Sequence, residues 1–365
     1  MAQLDIIPAK DTRTWMRILE ECEEYDFYHL PGYHVLSEPQ EKGAGLLFAY
    51  HEGAAVAAWP FVVRETSLIE GLEVAGAGHQ DMTSVYGYPG PVWNTHATAR
   101  DGFFERFQAA VESSAREMHV VSMFSRMNPV LGNAGRIGAI GVLEKMGQTV
   151  SIDLTEPVEV QERGYRKDHR DGIRKAVQAG CVAFHDASMS HFDDFVSLYH
   201  QTMTRVSADA RYFFDQKYFA DLRTAMGSHL HLFVATLAGT PCAAGLFIRT
   251  GSIVQFHLSG SSPEGLKHAG SKLVVDAARQ WAVTAGAHSL HLGGGVGSKE
   301  DSLFLFKSGF SGRRHDFLVW KNILEPVLYR ELLRTRREQL SVHGWELTDD
   351  SFFPAYRATP VRKAE

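Results

Sequence analysis

Two stretches of this chain alternate strand and helix patterns in the same order, and that constrains the fold more than any bulk property. In the later stretch Leu230–Leu237, Cys242–Thr250 and Ile253–Ser259 read as three β-strands with short turns at Gly239 and Gly251. Ser271–Ala285 follows as a helix with Leu273, Val274, Ala277, Ala278 and Trp281 facing inward, and Ser289–Leu292 is a strand running into Gly293-Gly294-Gly295. In the earlier stretch Leu46–Tyr50 and Ala54–Val63 flank His51-Glu52-Gly53, a hairpin signal. Asp101–Met118 carries Phe103, Phe104, Phe107, Ala110, Val111 and Ala115 on one helical face, and Val120–Phe124 and Thr149–Leu154 read as strands. Each half is therefore expected to hold a meander, a helix and a further strand. The length of 365 residues fits two domains. The expected boundary lies near Leu154–Glu162, with no Gly/Ser linker there. A helix reaching to about Leu340 and a less regular segment, Ser351–Glu365, follow the second half.

The net charge of −6 argues against a protein that binds nucleic acid mainly through bulk electrostatics, and so against a DNA partner. The charge is uneven: residues 1–80 carry 13 acids and 5 bases, and the remainder carries 30 acids and 32 bases. An anionic substrate is expected to meet the later part. The start, MAQLDIIPAKD, has neither a basic nor an apolar leader region, and Ala54–Val63 is about half of a membrane span. A cytoplasmic protein without a transmembrane segment is expected. Cys22, Cys181 and Cys242 suggest neither a disulfide framework nor a zinc site, and no metal is expected.

Familiar nucleotide and hydrolase signatures fail. Gly293-Gly294-Gly295-Val296-Gly297-Ser298-Lys299 has Ser298 where a Walker A loop needs glycine, and no GxSxG elbow is present. Ser190, with Asp193 three residues on, reads as a capping box. The helix Arg163–Lys175 holds six bases: Arg163, Arg166, Lys167, Arg170, Arg174 and Lys175. Further bases follow at Arg313, Arg314, Lys321, Arg330, Arg334, Arg336 and Arg337. A stripe of this kind suits an RNA acceptor stem read by phosphate and shape.

Four segments resemble the FemAB/FemX-like peptidyltransferases and the GNAT-like acyltransferases grouped with them. They are the basic helix Tyr165–Ala176, the helix end Thr202-Met203-Thr204-Arg205, the loop Tyr86-Gly87-Tyr88-Pro89-Gly90-Pro91, and a closing motif. The closing motif joins Leu290–Gly295 to Asp301-Ser302-Leu303-Phe304-Leu305-Phe306-Lys307-Ser308-Gly309-Phe310. The resemblance implies an α/β (α+β) fold of two tandem GNAT-like domains, each a mixed, mostly antiparallel sheet flanked by helices. Residues 1–157 would form an acceptor-side domain and 158–325 a donor-side domain, with 326–365 packing back as a helix and tail. It implies transfer of an amino acid from aminoacyl-tRNA, as co-substrate, to an amine of a small peptide or cell-wall precursor. No long helical insertion of the tRNA-binding-arm type is present in the second domain.

The same resemblance assigns residues. Lys307, at the family's Phe-Lys position after Phe306, would stabilise the developing charge. Arg205 matches an arginine that holds substrate phosphate. Asp81, Tyr86 and Tyr88 would line the acceptor cleft, with Asp81 accepting a proton or orienting the amine. Phe256 and His257 stand where relatives often carry tyrosines, and His257 is of a type that titrates near neutrality. Arg166, Lys167, Arg170, Arg174, Lys175, Arg313 and Arg314 would meet the RNA. The alternative is an acyl-CoA-dependent N-acyltransferase using acetyl-CoA or another acyl-CoA. The CoA pyrophosphate loop of such enzymes reads here as Lys267-His268-Ala269-Gly270-Ser271-Lys272. Gly270 is present, but Lys272 replaces a small residue.

Overall fold

Strand and helix periodicity translate directly into the elements of the computed structural model, which describes residues 2–347 and 352–363. Met1, residues 348–351 and residues 364–365, including parts of the expected irregular tail, lie outside the described residues. In chain order the first strands are β1 (Ala2–Pro8), β2 (Gly43–Glu52), β3 (Ala55–Glu65), β4 (Gln80–Thr83), β5 (Val92–Trp93) and β6 (Val120–Arg126). Then come β7 (Val142–Asp153), β8 (Cys181–His185), β9 (Leu230–Leu237), β10 (Thr240–Thr250) and β11 (Ile253–Ser261). The last of the long strands are β12 (Ser289–Gly293) and β13 (Arg314–Ile323).

Two compact units result: residues 2–146 with the described part of 318–365, and residues 147–317. The first unit pairs β1, β2, β3 and β4 antiparallel in that order; β4 then pairs parallel with β6, and β6 antiparallel with β13. Strand β3 is buried over Ala55–Val63, so its near-continuous apolar run is that of a strand covered on both faces. Helix Phe103–Glu117 covers one face through Phe103, Phe107 and Val111, which join Phe48, Trp59, Phe61 and Trp320. Helix Pro326–Val342 builds a second cluster from Tyr329 and Leu332 with Leu72, Val121 and Tyr356.

The second unit repeats that topology. Strands β8, β9, β10 and β11 run antiparallel, β11 pairs parallel with β12, and β12 antiparallel with β7. Helix Gly270–Thr284 is the crossover between β11 and β12, and it buries Leu273, Val274, Val275, Ala278 and Ala282. Helix Phe192–Arg205 packs so close to β11 that a Cβ on Gly260 would lie 2.3 Å from the backbone of Leu198 and Tyr199.

The expected boundary near Leu154–Glu162 falls later than the observed one at Met146/Gly147, because β7 supplies the sixth strand of the second unit. Residues 318–323, expected in the second domain, supply the sixth strand of the first. Ser190 does not cap the helix that follows it. Asp186 accepts from the Ser190 hydroxyl and from the His191 backbone N–H, and it closes the turn instead. No helix among the described residues is long and apolar enough to cross a membrane.

Candidate active site

In the second unit the parallel pairing of β11 with β12 runs only from Ile253↔Ser289 to Gln255↔His291. Beyond it β11 continues to Ser261 while β12 stops at Gly293, where a positive φ of 79° turns the chain. On its other edge β11 carries a bulge: Leu246 faces Leu258 and Phe247 faces Phe256, leaving His257 as the extra residue. Burial pushes the His257 imidazole down to about 4, so it is neutral at pH 7 and does not titrate near neutrality as its residue type suggests. Phe256 stacks on Phe247 with ring centroids 5.0 Å apart, so its ring is committed to packing on β10.

The chain leaving β12 is folded back by Asp301. One carboxylate oxygen accepts from the Phe304 N–H at 2.9 Å and caps helix Ser302–Lys307; the other accepts from the Val296 N–H at 3.0 Å. A Cβ on Gly295 would lie 2.0 Å from the Lys299 carbonyl, so the loop closes this tightly only with glycine there. The helix delivers Lys307 back to the end of β12, where its ammonium donates to the Gly294 carbonyl at 2.7 Å. No carboxylate among the described residues pairs with it. Loss of hydration pushes Lys307 down to about 8 against the weaker pull of Asp301. Half-burial, a pKa lowered toward neutrality and two N–H bonds left over set this lysine apart from a solvated surface charge.

Helix Lys167–Gln178 supports this lysine through a residue that sequence reasoning passed over. His169 is buried, with Nε2 2.9 Å from the Phe306 carbonyl oxygen and Nδ1 2.9 Å from the Asp168 carboxylate. Burial lowers its pKa despite Asp168. The signal available in sequence was the lone histidine amid six bases. Phe306 and Phe310 pack against the imidazole at 5.7 and 4.6 Å, so Phe306 is a spacer between His169 and Lys307. Gly309 touches the same ring: a Cβ there would lie 2.1 to 2.5 Å from three ring atoms. The variant Gly309→Ala is expected to lose about 1–3 kcal/mol of stability in chemical denaturation, since a ring held at both nitrogens cannot step aside.

The basic residues are partly spoken for. Arg174 pairs with Asp171, Arg313 with Asp153, and Arg166 with Asp168 at 3.2 Å; Arg170 donates to the Arg163 and Tyr165 carbonyls. Arg314 lies over the Phe304 ring and donates to the Ser311 carbonyl. Lys167 and Lys175 are exposed and form no ion pair among the described residues. Arg205 is exposed and ends helix Phe192–Arg205. It donates to the Ser261 carbonyl at 2.8 Å and to Thr202, which fastens the helix to β11, and it lines an open depression with Ser197, His200, Gln201, Thr204 and Pro263.

The other three predicted residues lie in the first unit. Asp81 is not a cleft carboxylate. It is fully buried on β4, one oxygen taking Arg64 at 2.8 Å and the other taking Arg357, so both oxygens are held in ion pairs within the first unit. Tyr86 is 61% exposed, and its carbonyl is fixed by the Tyr33 hydroxyl. Tyr88 is half-buried edge-on to Tyr28, and its carbonyl accepts from Asn128.

Comparison with known proteins accords with this architecture. Residues 163–300 match the acetyltransferase (GNAT) domain family. The solved structure of FemX superposes with a TM-score of 0.68 at 12% identity, covering 90% of this chain and 99% of FemX. The protein has a FemX-like GNAT fold. The C-terminal domain of a putative lysylphosphatidylglycerol synthetase from Agrobacterium fabrum is also similar, at 13% identity, a TM-score of 0.52, and 85% and 91% of the two chains covered. L-PGS from Bacillus licheniformis gives 12% identity, a TM-score of 0.51 and the same coverages. No curated protein matches the sequence. Within the FemX-like fold, Lys307 ends the helix that follows the last strand of the crossover in the second unit.

Proposed function

We propose that this protein transfers an aminoacyl group from aminoacyl-tRNA to an amine of a peptide or cell-envelope precursor. The observation that carries this reading is Lys307, a half-buried ammonium without a carboxylate partner, held on the Gly294 carbonyl where β11 and β12 part. Amine attack on an ester builds negative charge on the carbonyl oxygen. A fixed cation in a poorly hydrated site stabilises that charge without reorganising. The new C–N bond forms as the C–O bond to the ribose breaks, and the proton lost by the amine balances the one gained by the departing hydroxyl. The ester is already activated, so holding the reactants in place supplies much of the remaining acceleration. The exposed Lys167 and Lys175 suit the phosphates of an RNA end.

A specific observation favours acyl-CoA as the second reading. The Lys272 ammonium is drawn to Asp168, 3.1 Å from its carbonyl and 3.2 Å from its carboxylate. Its side chain therefore leaves the start of helix Gly270–Thr284, where N–H groups lack intrahelical acceptors.

The deciding measurement supplies the full chain with labelled aminoacyl-tRNA or labelled acyl-CoA and a panel of amine-bearing peptides. Transfer from charged tRNA that RNase abolishes, with tRNA affinity falling steeply as salt rises, is the expected result. Transfer from acyl-CoA that persists with RNase, and none from charged tRNA, overturns it.

A further inference from the structure

The first unit contains an arginine set for a ligand. Arg126, at the end of β6, is half-buried, and among the described residues no carboxylate pairs with it. Its Nη1 is spent on the loop after β4, donating to the Ser84 carbonyl at 3.3 Å, the Ser84 hydroxyl at 3.4 Å and the Val85 carbonyl at 3.4 Å. The Ser84 hydroxyl also accepts from the Arg126 backbone N–H at 3.1 Å. These bonds fix the plane of the guanidinium and leave the Nε–H and Nη2–H edge unused. That edge is the two-pronged fork that grips carboxylate and phosphate oxygens.

Two aromatic rings frame the fork. The guanidinium carbon lies 5.1 Å from the centre of Phe124 and 5.9 Å from that of Tyr86. Tyr86 is held outward by its surroundings: its carbonyl takes the Tyr33 hydroxyl, and Gly87 follows with φ of 119°. A Cβ on Gly87 would lie 2.0 Å from the Tyr28 ring, so the loop path requires glycine there. A loop clamp alone calls for neither a permanent cation nor an exposed ring beside it. Partial desolvation of an unpaired cation is unfavourable, and an incoming anion relieves it.

We propose that Arg126 and Tyr86 form a binding site for an oxyanion, a carboxylate or a phosphate, carried next to a planar or apolar group that lies on the Tyr86 ring. This deepens the proposed function, and rests on it only in assigning that anion to the amine-bearing acceptor. The site also qualifies the charge argument from sequence, because a phosphate- or carboxylate-reading group stands in the unit that contains the acidic residues 1–80.

Calorimetry on the full chain tests the site without any donor present. The probes are phenyl phosphate, benzoate and inorganic phosphate, which separate the two anions and the contribution of the ring. Saturable binding of phenyl phosphate or benzoate is expected, weakened about tenfold or more by Arg126→Gln and also by Arg126→Lys, which keeps the charge and loses the fork. Tyr86→Ala, a change at an exposed position that does not threaten folding, should weaken the aromatic probe severalfold and inorganic phosphate little. The proposal is overturned when the wild type binds no probe, or when Arg126→Gln and Tyr86→Ala both bind as the wild type does. A protein that binds these probes yet transfers nothing from charged tRNA sinks the proposed function and leaves this site standing.

Discussion

Replacing Lys307 with alanine is expected to lower the transfer rate by about 10²–10³-fold, the usual cost of deleting one preorganised group that stabilises a developing oxyanion. The loss should fall mainly on kcat, because the ammonium is needed where charge appears on the carbonyl oxygen rather than in the ground state. The pH profile gives an independent signature. Lys307 sits at about 8, and its protonated form is the working one. Activity should therefore hold below that pH and fall as the pH rises through it. Lys307→Arg should retain partial activity and lose the alkaline decline, since guanidinium stays protonated there. A rate that instead climbs through pH 8 would make this lysine a base. The same shift sets a stability trend. The folded-state pKa is depressed, so the unfolded chain binds more protons between about 8 and the ordinary lysine value. Relative to Lys307→Met, the wild type should gain stability as the pH rises across that window.

The second large effect concerns folding. Asp81→Ala is expected to cost about 3–5 kcal/mol, read from denaturant midpoints, because it removes the carboxylate shared by two nearly buried guanidinium groups, leaving Arg357 without a carboxylate partner and Arg64 with Glu41 alone. Arg64 and Arg357 have side chains only 11% and 14% exposed, so water does little to relieve them. Asp81→Asn should recover part of this through its remaining carbonyl oxygen. Both variants, assayed well below their midpoints, should keep kcat near wild type. A variant of Asp81 that folds normally and loses turnover would restore the carboxylate to the chemistry.

The contrast between these residues indicates what was legible in the sequence. The hairpin around Gly53, the amphipathic helix Phe103–Glu117 and the meander of β9, β10 and β11 follow from short-range periodicity and were readable. Lys307 stands out in sequence because its motif is local: Gly295, Asp301 and Lys307 lie within 13 residues, and Asp301 both touches Gly295 and caps the helix that carries Lys307. The burial of Asp81 in ion pairs was not legible because one of its two partners, Arg357, is 276 residues away. His257 looked titratable because a bulge cannot be read from one strand alone. The cations at 163–175 and at 313 look free in sequence, whereas folding brings Asp168 to Arg166, Asp171 to Arg174 and Asp153 to Arg313. Arg126 drew no notice because an unpaired arginine is recognisable only once its neighbours are known.

The interleaving of the two units has a consequence for the order in which they are built during synthesis. Residues 147–317 are contiguous, so the second unit has all its strands as soon as β13 begins to emerge from the ribosome. The first unit, although begun earlier, still lacks its sixth strand at residues 318–323 and the Arg357 that shares Asp81 with Arg64. Chains usually complete their domains from the N-terminus onward. Here the first unit must wait as an open-edged sheet, with Asp81 matched by Arg64 alone, until residues 318–357 arrive, which places its period of greatest exposure to mispairing and proteolysis after the second unit has been made.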